Sequence, residues 1–405
     1  MGVIVGAACQ PLQPADSALG PPTETAGSDA PLVALVVPLS GRQQSLGMAI
    51  RDGFIAAHLE APASRRFNTL IIDEARVSAA QAHAQALNAG ARALVGPLLK
   101  ESVQALAPLA GPLAGPMPMP ILALNNLADT DPANGTLWQF ALAPEDEARE
   151  IAARAIALGQ LRAVVLIPAS EWGQRLLAAF SAEFAVRGGV VVDTRTYLPG
   201  TADFTVPIRS LLLTTDPVTS PPPGTATNPG EKPSLSPGRR QDVDLILVVA
   251  SSSNGRQIVP QLKFFGAGDL PTYSTSAIWE DGAADDDDLN GVMFPDSPWV
   301  IAPDGRHLIV KNGVIRHWGR GALSVSRLYA LGYDAYQLLP EILRQPSPGP
   351  FALGEFPGAT GVLSADTAGR IHRRLSFAEI RGGRPVSLPG PLLMPLQTPV
   401  ATGGP

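Results

Sequence analysis

The sequence has one cysteine and only five histidines in 405 residues, so few side chains are available for metal binding or covalent catalysis. A single cysteine, Cys9, cannot form a disulfide within the chain. No two histidines have the spacing of zinc ligands, and neither a Gly-x-Ser-x-Gly turn nor a Gly-x-x-x-x-Gly-Lys-Ser/Thr phosphate loop is present. We therefore expect no metal, no cofactor and no enzymatic reaction. The histidines are His58, His83, His307, His317 and His372.

Charge is also scarce, because charged residues make up 16% of the chain and the net charge at pH 7 is −6. Because the chain has no excess of basic residues, we do not expect nucleic acid as a partner. No charge-free apolar run reaches the length needed to span a bilayer. The acidic run 285–288 lacks the alternating ligands, central glycine and closing glutamate of an EF-hand, so we interpret it as a solvated loop.

The most informative segment that is present extends from residue 32 to residue 58. Residues 32–38 form an almost continuous apolar run, which is typical of a strand buried on both faces of a parallel sheet. A Pro-Leu-Ser-Gly turn follows at 38–41, and apolar residues then recur at helical spacing. In open α/β sheets such a turn lies at the carboxyl end of the strand, where ligands bind. The segment predicts an α/β fold and one edge of a candidate site.

Strand and helix patterns alternate along the rest of the chain, which indicates parallel sheets with crossover helices. A first series extends to about residue 143, and a second begins at Pro144 with a helix whose first turn carries three acids. Later in the chain, a long amphipathic helix is predicted over residues 321–343. A strand at 361–364 is followed by a turn and a terminal hairpin.

Three segments are rich in proline, glycine and small polar residues, a composition that favours disorder over a packed core. We predict a signal remnant and disordered tether at residues 1–30, a disordered insertion at 214–240 and a flexible tail at 389–405. A catalytic loop in the insertion is disfavoured, because it holds no histidine or cysteine and only two acids.

Polar turns follow several predicted strands and can meet at the carboxyl edges of the sheets. Converging hydroxyls and amides at such an edge can bind a small ligand. Taken one at a time, Ser and Asn at these places more often cap helices or form turns, and a tryptophan more often fills the core. The candidate cleft residues are Ser40, Ser102, Asn125, Asn126, Trp172 and Ser251.

Cys9 follows a short run of small and apolar residues at positions 5–8. This context resembles the end of a bacterial lipoprotein signal peptide, in which the cysteine becomes the lipid-modified N-terminus. Residues 1–8 lack the basic region and the full apolar region of such a signal, so we expect the start codon to lie further upstream. The alternative is a cysteine without a role in a flexible segment.

Six longer strings, which together span most of the chain from residue 32 to about residue 388, resemble the LppC-type bacterial lipoproteins. As a set they are specific for that family, whereas the Pro-Leu-Ser-Gly turn alone occurs across the type I periplasmic binding proteins. The glycine-containing segment 358–369 is also typical of that superfamily. The six strings are residues 34–54, 139–152, 164–175, 239–251, 255–279 and 288–299.

The resemblance implies an α/β chain with a two-lobed type I periplasmic-binding-protein-like fold, each lobe a doubly wound, mostly parallel sheet. It implies that the chain crosses between the lobes three times. On this basis we assign residues 31–143 and 276–345 to the first lobe, and residues 144–275 and 346–388 to the second.

In function, the resemblance implies a lipoprotein on the periplasmic face of the outer membrane, anchored through the lipid on Cys9. Such a protein stimulates peptidoglycan synthesis by contacting a class A penicillin-binding protein, and it catalyses no reaction itself. The partners implied are therefore the synthase and the outer membrane.

The fold class also allows a second function, that of a periplasmic solute-binding receptor for an amino acid or an amide-like ligand. The polar strand-end turns favour this alternative. Receptors of this class usually carry Ser or Thr and acidic groups that hold an α-amino acid. Here residues 123–126, Ala-Leu-Asn-Asn, stand where such groups are expected, which favours the activator over the receptor.

Overall fold

A computed structural model describes residues 30–110, 119–127, 136–212, 239–281, 286–345 and 353–390. The signal remnant and tether with Cys9 lie outside these ranges, apart from residue 30. The insertion 214–240 and the tail 389–405 also lie outside, apart from residues 239–240 and 389–390. The assignments of these three segments therefore stay predictions.

Fifteen strands and ten α-helices are present in the described ranges. The strands are β1 (Leu32–Val37), β2 (Asn68–Asp73), β3 (Ala93–Val95), β4 (Ile121–Ala123), β5 (Leu137–Phe140), β6 (Arg162–Pro168), β7 (Val190–Tyr197), β8 (Leu245–Val248), β9 (Thr272–Ser274), β10 (Val292–Asp296), β11 (Phe356–Pro357), β12 (Val362–Ala365), β13 (Arg370–Arg374), β14 (Ser376–Arg381) and β15 (Arg384–Leu388). The helices are α1 (Gln44–Glu60), α2 (Ala79–Asn88), α3 (Lys100–Leu106), α4 (Pro144–Ala157), α5 (Glu171–Val186), α6 (Thr205–Leu212), α7 (Ser252–Leu262), α8 (Pro298–Ile301), α9 (Gly305–Trp318) and α10 (Ser326–Arg344).

The first sheet has the strand order β2-β1-β3-β4-β5-β13-β12-β11, and we call it and its helices the first lobe. Its strands from β2 to β13 are parallel, while β12 and β11 are antiparallel additions at one edge. β1 lies inside this sheet with both faces covered. Val33, Leu35 and Val37 pack with residues of α1 and α10, whereas Ala34 and Val36 pack with residues of α2 and α3. The prediction of a doubly buried strand is confirmed, because a sheet covered by helices on both faces needs apolar side chains in both directions.

The second sheet has the order β7-β6-β8-β9-β10-β14-β15, and it forms the second lobe with its helices. The strands from β7 to β10 are parallel, and β14 and β15 are antiparallel. One face packs against α6 and α7, and the other against α4 and α5. The two-lobed type I periplasmic-binding-protein-like fold is therefore confirmed in its architecture: each lobe is a mostly parallel sheet between two helical layers.

The chain passes between the sheets three times: after β5, after β10 and between β13 and β14. The third passage is the shortest, because Leu375 alone separates β13 in the first sheet from β14 in the second. The first and third passages contact each other, because Arg373 Nη2 donates to the Ala143 carbonyl oxygen at 3.1 Å.

Two parts of the predicted lobe assignment are wrong. Residues 276–345 were assigned to the first lobe, but β10 pairs with β9 and β14 in the second sheet. Residues 346–388 were assigned to the second lobe, but β11, β12 and β13 belong to the first sheet. The expected terminal hairpin is likewise divided: β12 and β13 form a hairpin, whereas the strand beginning at Ser376 joins the other sheet. The spacing of apolar residues in a strand indicates which of its faces are buried. It does not indicate which of the two sheets the strand joins.

Two glycines allow α1 and α10 to approach until their backbones touch. A Cβ atom at Gly53 would lie 1.9 Å from the Tyr329 carbonyl oxygen, and one at Gly332 would lie 1.9 Å from the Ile50 carbonyl oxygen. Only glycine fits where main chains come this close. This contact fixes α10, whose amino end reaches the lobe boundary.

Candidate functional site

Ser40 and Asp73 lie next to each other at the carboxyl ends of β1 and β2. The Ser40 hydroxyl donates to Asp73 Oδ2 at 2.6 Å, and the Leu39 amide donates to Asp73 Oδ1 at 2.8 Å. Burial acts to raise the pKa of Asp73, but these hydrogen bonds and one from the Ala75 amide outweigh it and lower the pKa. Ser40 therefore has its partner within the lobe.

Glu74 fills the neighbouring position, at the turn that precedes α3. Its carboxylate accepts hydrogen bonds from the Leu98 amide at 2.9 Å and from the Leu99 amide at 3.0 Å. The Ser102 side chain also acts to lower the pKa of this carboxylate. The side chain is buried, and burial raises the pKa of Glu74 against the lowering effect of these hydrogen bonds. The protein's own carboxylate thus occupies the two amides that an anionic ligand would use here.

The two asparagines complete this edge of the first lobe. Asn125 Nδ2 donates to the Leu98 carbonyl oxygen at 2.9 Å, and Asn125 Oδ1 accepts from the Asn126 amide at 2.9 Å. Asn126 Oδ1 is buried without a hydrogen-bond partner. Four of the six candidate residues therefore lie at one edge of the first lobe. Asn125 binds the Leu98 carbonyl oxygen, and Asn126 is next to Asn125. Ser102 lies near Glu74, and Ser40 binds the adjacent Asp73.

The other two candidates, Trp172 and Ser251, lie in the second lobe. Ser251 is the exposed N-cap of α7: its hydroxyl accepts from the Asn254 amide at 3.4 Å and lies 3.0 Å from the Ser253 hydroxyl. Trp172 is partly buried against the core formed by α4, α5 and the sheet. Both have local structural contacts, and a shared inter-lobe cleft for the six residues stays a prediction.

A group of charged side chains at the lobe boundary was not predicted from the sequence. Arg327, in the first turn of α10, donates to Asp296 Oδ1 at 3.0 Å through Nε and to Asp296 Oδ2 at 2.5 Å through Nη2. Arg327 Nη2 also donates to the carbonyl oxygens of Ser276 at 3.2 Å and Trp279 at 3.1 Å. Asp296 is only 2% exposed. Burial would lower the pKa of Arg327, but the charge and hydrogen bonds of Asp296 outweigh it and raise the pKa, so the guanidinium stays charged.

A second set of contacts joins the lobes close by. Asp281, which follows β9, accepts from the Ser326 hydroxyl at 2.6 Å and lies 2.8 Å from Lys311 Nζ. Lys311, on α9, also donates to the Trp299 carbonyl oxygen at 3.1 Å. Asp281 belongs to the second lobe, whereas Ser326 and Lys311 lie on helices that pack on the first.

Acidic residues in the first turn of α4 form the other side of the boundary. Glu147 accepts from the Ser276 amide at 2.7 Å and from the Ser276 hydroxyl at 2.8 Å. Burial raises the pKa of Glu147 to about 7, with Arg373 opposing this shift. Asp146 contacts His372 Nδ1 at 3.1 Å, and this carboxylate raises the pKa of His372. His372 and Arg373 lie in β13, so these contacts also link the two lobes.

The sequence contains only a weak indication of this charged boundary. In the sequence, Asp146 and Glu147 stand out only as acids in the first turn of a predicted helix, where they suit the helix dipole. Arg327 and Asp296 are 31 residues apart and belong to no motif.

No arrangement in the described ranges points to metal chemistry or to a membrane span. Within these ranges, no three His, Cys, Asp or Glu side chains are grouped so as to hold a metal ion. None of the described helices combines the length and apolar content that a membrane crossing requires. The site consists of strand-end turns, whose carboxylates are hydrogen-bonded within the first lobe, and of a charged lobe boundary.

Comparison with solved structures places the fold among known proteins. The C-domain of LpoA (YraM) from Haemophilus influenzae, a regulator of PBP1A, superposes with a TM-score of 0.65 at 25% identity, covering 88% of this chain and 99% of that one. An ABC transporter substrate-binding protein from Sphaerobacter thermophilus superposes with a TM-score of 0.58 at 17% identity, covering 89% and 96%. The second likeness concerns the fold alone.

Comparison with curated protein sequences agrees with the comparison of structures. The penicillin-binding protein activator LpoA of Vibrio antiquarius (strain Ex25) is 29% identical over 364 residues, which are 85% of this chain and 56% of the relative. The chain spans about half the length of the curated relatives it matches. The family described as "LppC putative lipoprotein" matches residues 28–383. The chain therefore belongs to the LppC family.

Proposed function

We propose that this chain activates a class A penicillin-binding protein and so regulates peptidoglycan synthesis, without catalysing a reaction itself. The observation that carries the proposal is the match over residues 28–383 to the LppC family, whose curated relatives bear the name of penicillin-binding protein activators. The chain also corresponds to nearly the whole of the C-domain of one such protein, which is described as a regulator of PBP1A.

The strand-end geometry supports an activator over a solute receptor. A receptor leaves its strand-end amides free for a ligand, whereas here Glu74 accepts hydrogen bonds from the amides of Leu98 and Leu99. A ligand carboxylate would have to displace this buried side chain. A thermal-shift screen with amino acids, amides and muropeptides checks this point, because a specific ligand stabilises the folded state. Saturable stabilisation by an amino acid would favour the receptor.

We further propose that Cys9 carries a lipid that anchors the chain to the periplasmic face of the outer membrane. The support is the small-residue context of Cys9 together with membership of a lipoprotein family. Expression of the gene with its upstream region, followed by membrane fractionation and labelling with a fatty acid, tests the anchor. Label and outer-membrane recovery should both be lost in Cys9→Ser. Equal recovery of Cys9→Ser and the parent in the outer membrane would contradict lipid anchoring.

The activator proposal is tested by adding the purified chain to its cognate synthase and measuring glycan polymerisation and crosslinking. We expect binding and a faster reaction. A solute-binding protein of the same fold, at equal concentration, is the control for nonspecific effects. An unchanged rate with no detectable binding would contradict the proposal.

Two exposed apolar residues allow the contacting lobe to be mapped. Ile309 on α9 is 72% exposed and Val186 at the end of α5 is 86% exposed, so neither contributes much to folding. Ile309→Asp tests a face next to the first lobe, and Val186→Asp tests a face of the second. Loss of stimulation in one variant only, with unchanged thermal stability, identifies the lobe that contacts the synthase.

A further inference from the structure

The contacts between α9, α10 and the second lobe form one connected group, which we call the inter-lobe clamp. It consists of Lys311, Ser326 and Arg327 from the first lobe and of Asp281, Asp296 and the carbonyl oxygens of Ser276 and Trp279 from the second. Two ion pairs and three further hydrogen bonds therefore cross the boundary at one place.

The clamp is not confined to the segments through which the chain crosses. Asp296 ends β10 at one crossing, but Asp281, Ser276 and Trp279 belong to the loop that follows β9 inside the second lobe. Crossing segments alone permit hinge motion, which is how two-domain binding proteins close around a ligand. Contacts on a second element oppose that rotation, because the bonds to Asp281 and Trp279 must break when the lobes separate.

Burial makes these contacts costly to break. The Asp296 side chain is 3% exposed, and those of Lys311 and Asp281 are 11% and 12% exposed. A charge in such a place has no water ready to replace its partner. The amino end of α10 is itself held in place, because Gly53 and Gly332 bring α1 and α10 into backbone contact. Ser326 and Arg327 of the clamp are thus presented from an anchored helix.

We propose that the inter-lobe clamp fixes the angle between the two lobes, so that the chain holds one lobe arrangement without a bound ligand. The clamp is a property of the chain alone and does not depend on the identity of the partner. In a solute receptor a ligand bridges the lobes; here charged side chains of the protein take that role.

The test is a distance measurement between the lobes by double electron–electron resonance. Spin labels are placed at Gln104→Cys on α3 and Gln174→Cys on α5, both exposed, in a Cys9→Ser background. We expect one narrow distance distribution in this labelled parent. The double variant Asp281→Ala, Ser326→Ala, which removes the contacts of Asp281, should shift the mean distance and widen the distribution.

Ser324→Ala is the matched control, because the Ser324 hydroxyl donates to the Gly321 carbonyl oxygen in its own turn and does not cross the boundary. It should leave the distribution unchanged. If the double variant does not fold, Asp281→Asn removes the charge but keeps a hydrogen-bond acceptor, and a smaller widening is expected. A broad or bimodal distribution in the labelled parent would overturn the proposal. So would a folded Asp281 variant whose distribution superimposes on that of the parent.

Discussion

Two polar regions of this molecule lie where a binding protein meets its ligand, and they use their polar groups differently. At the carboxyl edge of the first sheet, Glu74 and Asp73 are hydrogen-bonded to Leu98, Leu99 and Leu39 of the same lobe. At the lobe boundary, Arg327 and Asp296 bind each other from opposite lobes. The first region stabilises turns within one domain, whereas the second joins two domains.

The difference concerns how each region satisfies buried charge. In the first region main-chain amides satisfy the carboxylates, so no second lobe is required. In the second region a cation from one lobe satisfies a buried anion of the other, so neither is fully satisfied when the lobes separate. Variants in the two regions should therefore differ in how much unfolding free energy they lose. They should also differ in whether they disturb one lobe or the contact between the lobes.

The largest effect is expected for Arg327→Met, which leaves the buried Asp296 without its partner. Removing one member of a buried ion pair costs about 3–5 kcal/mol, and chemical denaturation measures the loss. Arg344→Met is the matched control on the same helix, because Arg344 is 67% exposed and pairs with Glu341. An exposed pair contributes at most about 1 kcal/mol. If both variants lost the same unfolding free energy, the boundary pair would contribute no more to stability than the exposed pair, which would contradict the prediction.

A smaller loss of unfolding free energy, measured by chemical denaturation, is expected for Gly332→Ala. This variant tests the close contact between α1 and α10, which holds α10 at the boundary. The new Cβ would lie 1.9 Å from the Ile50 carbonyl oxygen, so the helices must move apart. Overpacking of this kind costs about 2–3 kcal/mol. Gly313→Ala on α9 is the control, since nothing lies within 4 Å of its Cβ, and alanine should stabilise that helix by up to about 1 kcal/mol. A neutral Gly332→Ala would mean that the helices are not held in close contact.

The first-lobe edge is tested by Glu74→Ala, which frees the amides of Leu98 and Leu99. Unsatisfied buried donors cost about 1–2 kcal/mol, measured as a fall in unfolding free energy. Formate or acetate should restore part of the loss, because a small carboxylate can take the vacated position. Glu101→Ala is the control, since Glu101 is exposed in the first turn of α3. Loss without rescue would show that the site needs the tethered side chain.

The last effect is of a different kind, a change in the pH dependence of stability at the boundary. Burial raises the pKa of Glu147 from 4.5 to about 7, so the folded state keeps a proton that the unfolded state has released. The stabilising contribution is complete below about pH 4.5 and is lost as pH rises through about 7. Glu147→Gln should therefore show a smaller decline in unfolding free energy between these pH values.

Part of that decline should remain in Glu147→Gln. Burial also raises the pKa of Asp334 to about 6, and Asp146 raises the pKa of His372, so both groups contribute with the same sign. Denaturation at a series of pH values measures both proteins. Parallel curves for parent and variant would contradict a folded-state pKa near 7 for Glu147.

Much of each lobe could be predicted from local patterns. The apolar run at 32–38, the helical spacing after it and the alternation of elements are set by contacts between residues close in the chain. The edge formed by Ser40, Ser102, Asn125 and Asn126 was also within reach, because carboxyl ends of parallel strands meet at one edge. The sequence did not indicate that Glu74 would occupy the Leu98 and Leu99 amides, since that bond joins residues 24 and 25 positions apart.

By itself, the sequence determined the α/β class, the main elements of both lobes and the family, because periodicity and motifs are local properties of the chain. The tertiary structure alone decided that β11 to β13 return to the first sheet, that β14 leaves for the second after one residue, and that Arg327 meets Asp296. These outcomes depend on the path of the backbone between distant segments. A strand has the same alternation of apolar residues in either sheet. The sequence does not show which charged residue another will pair with, because only the fold brings the two together.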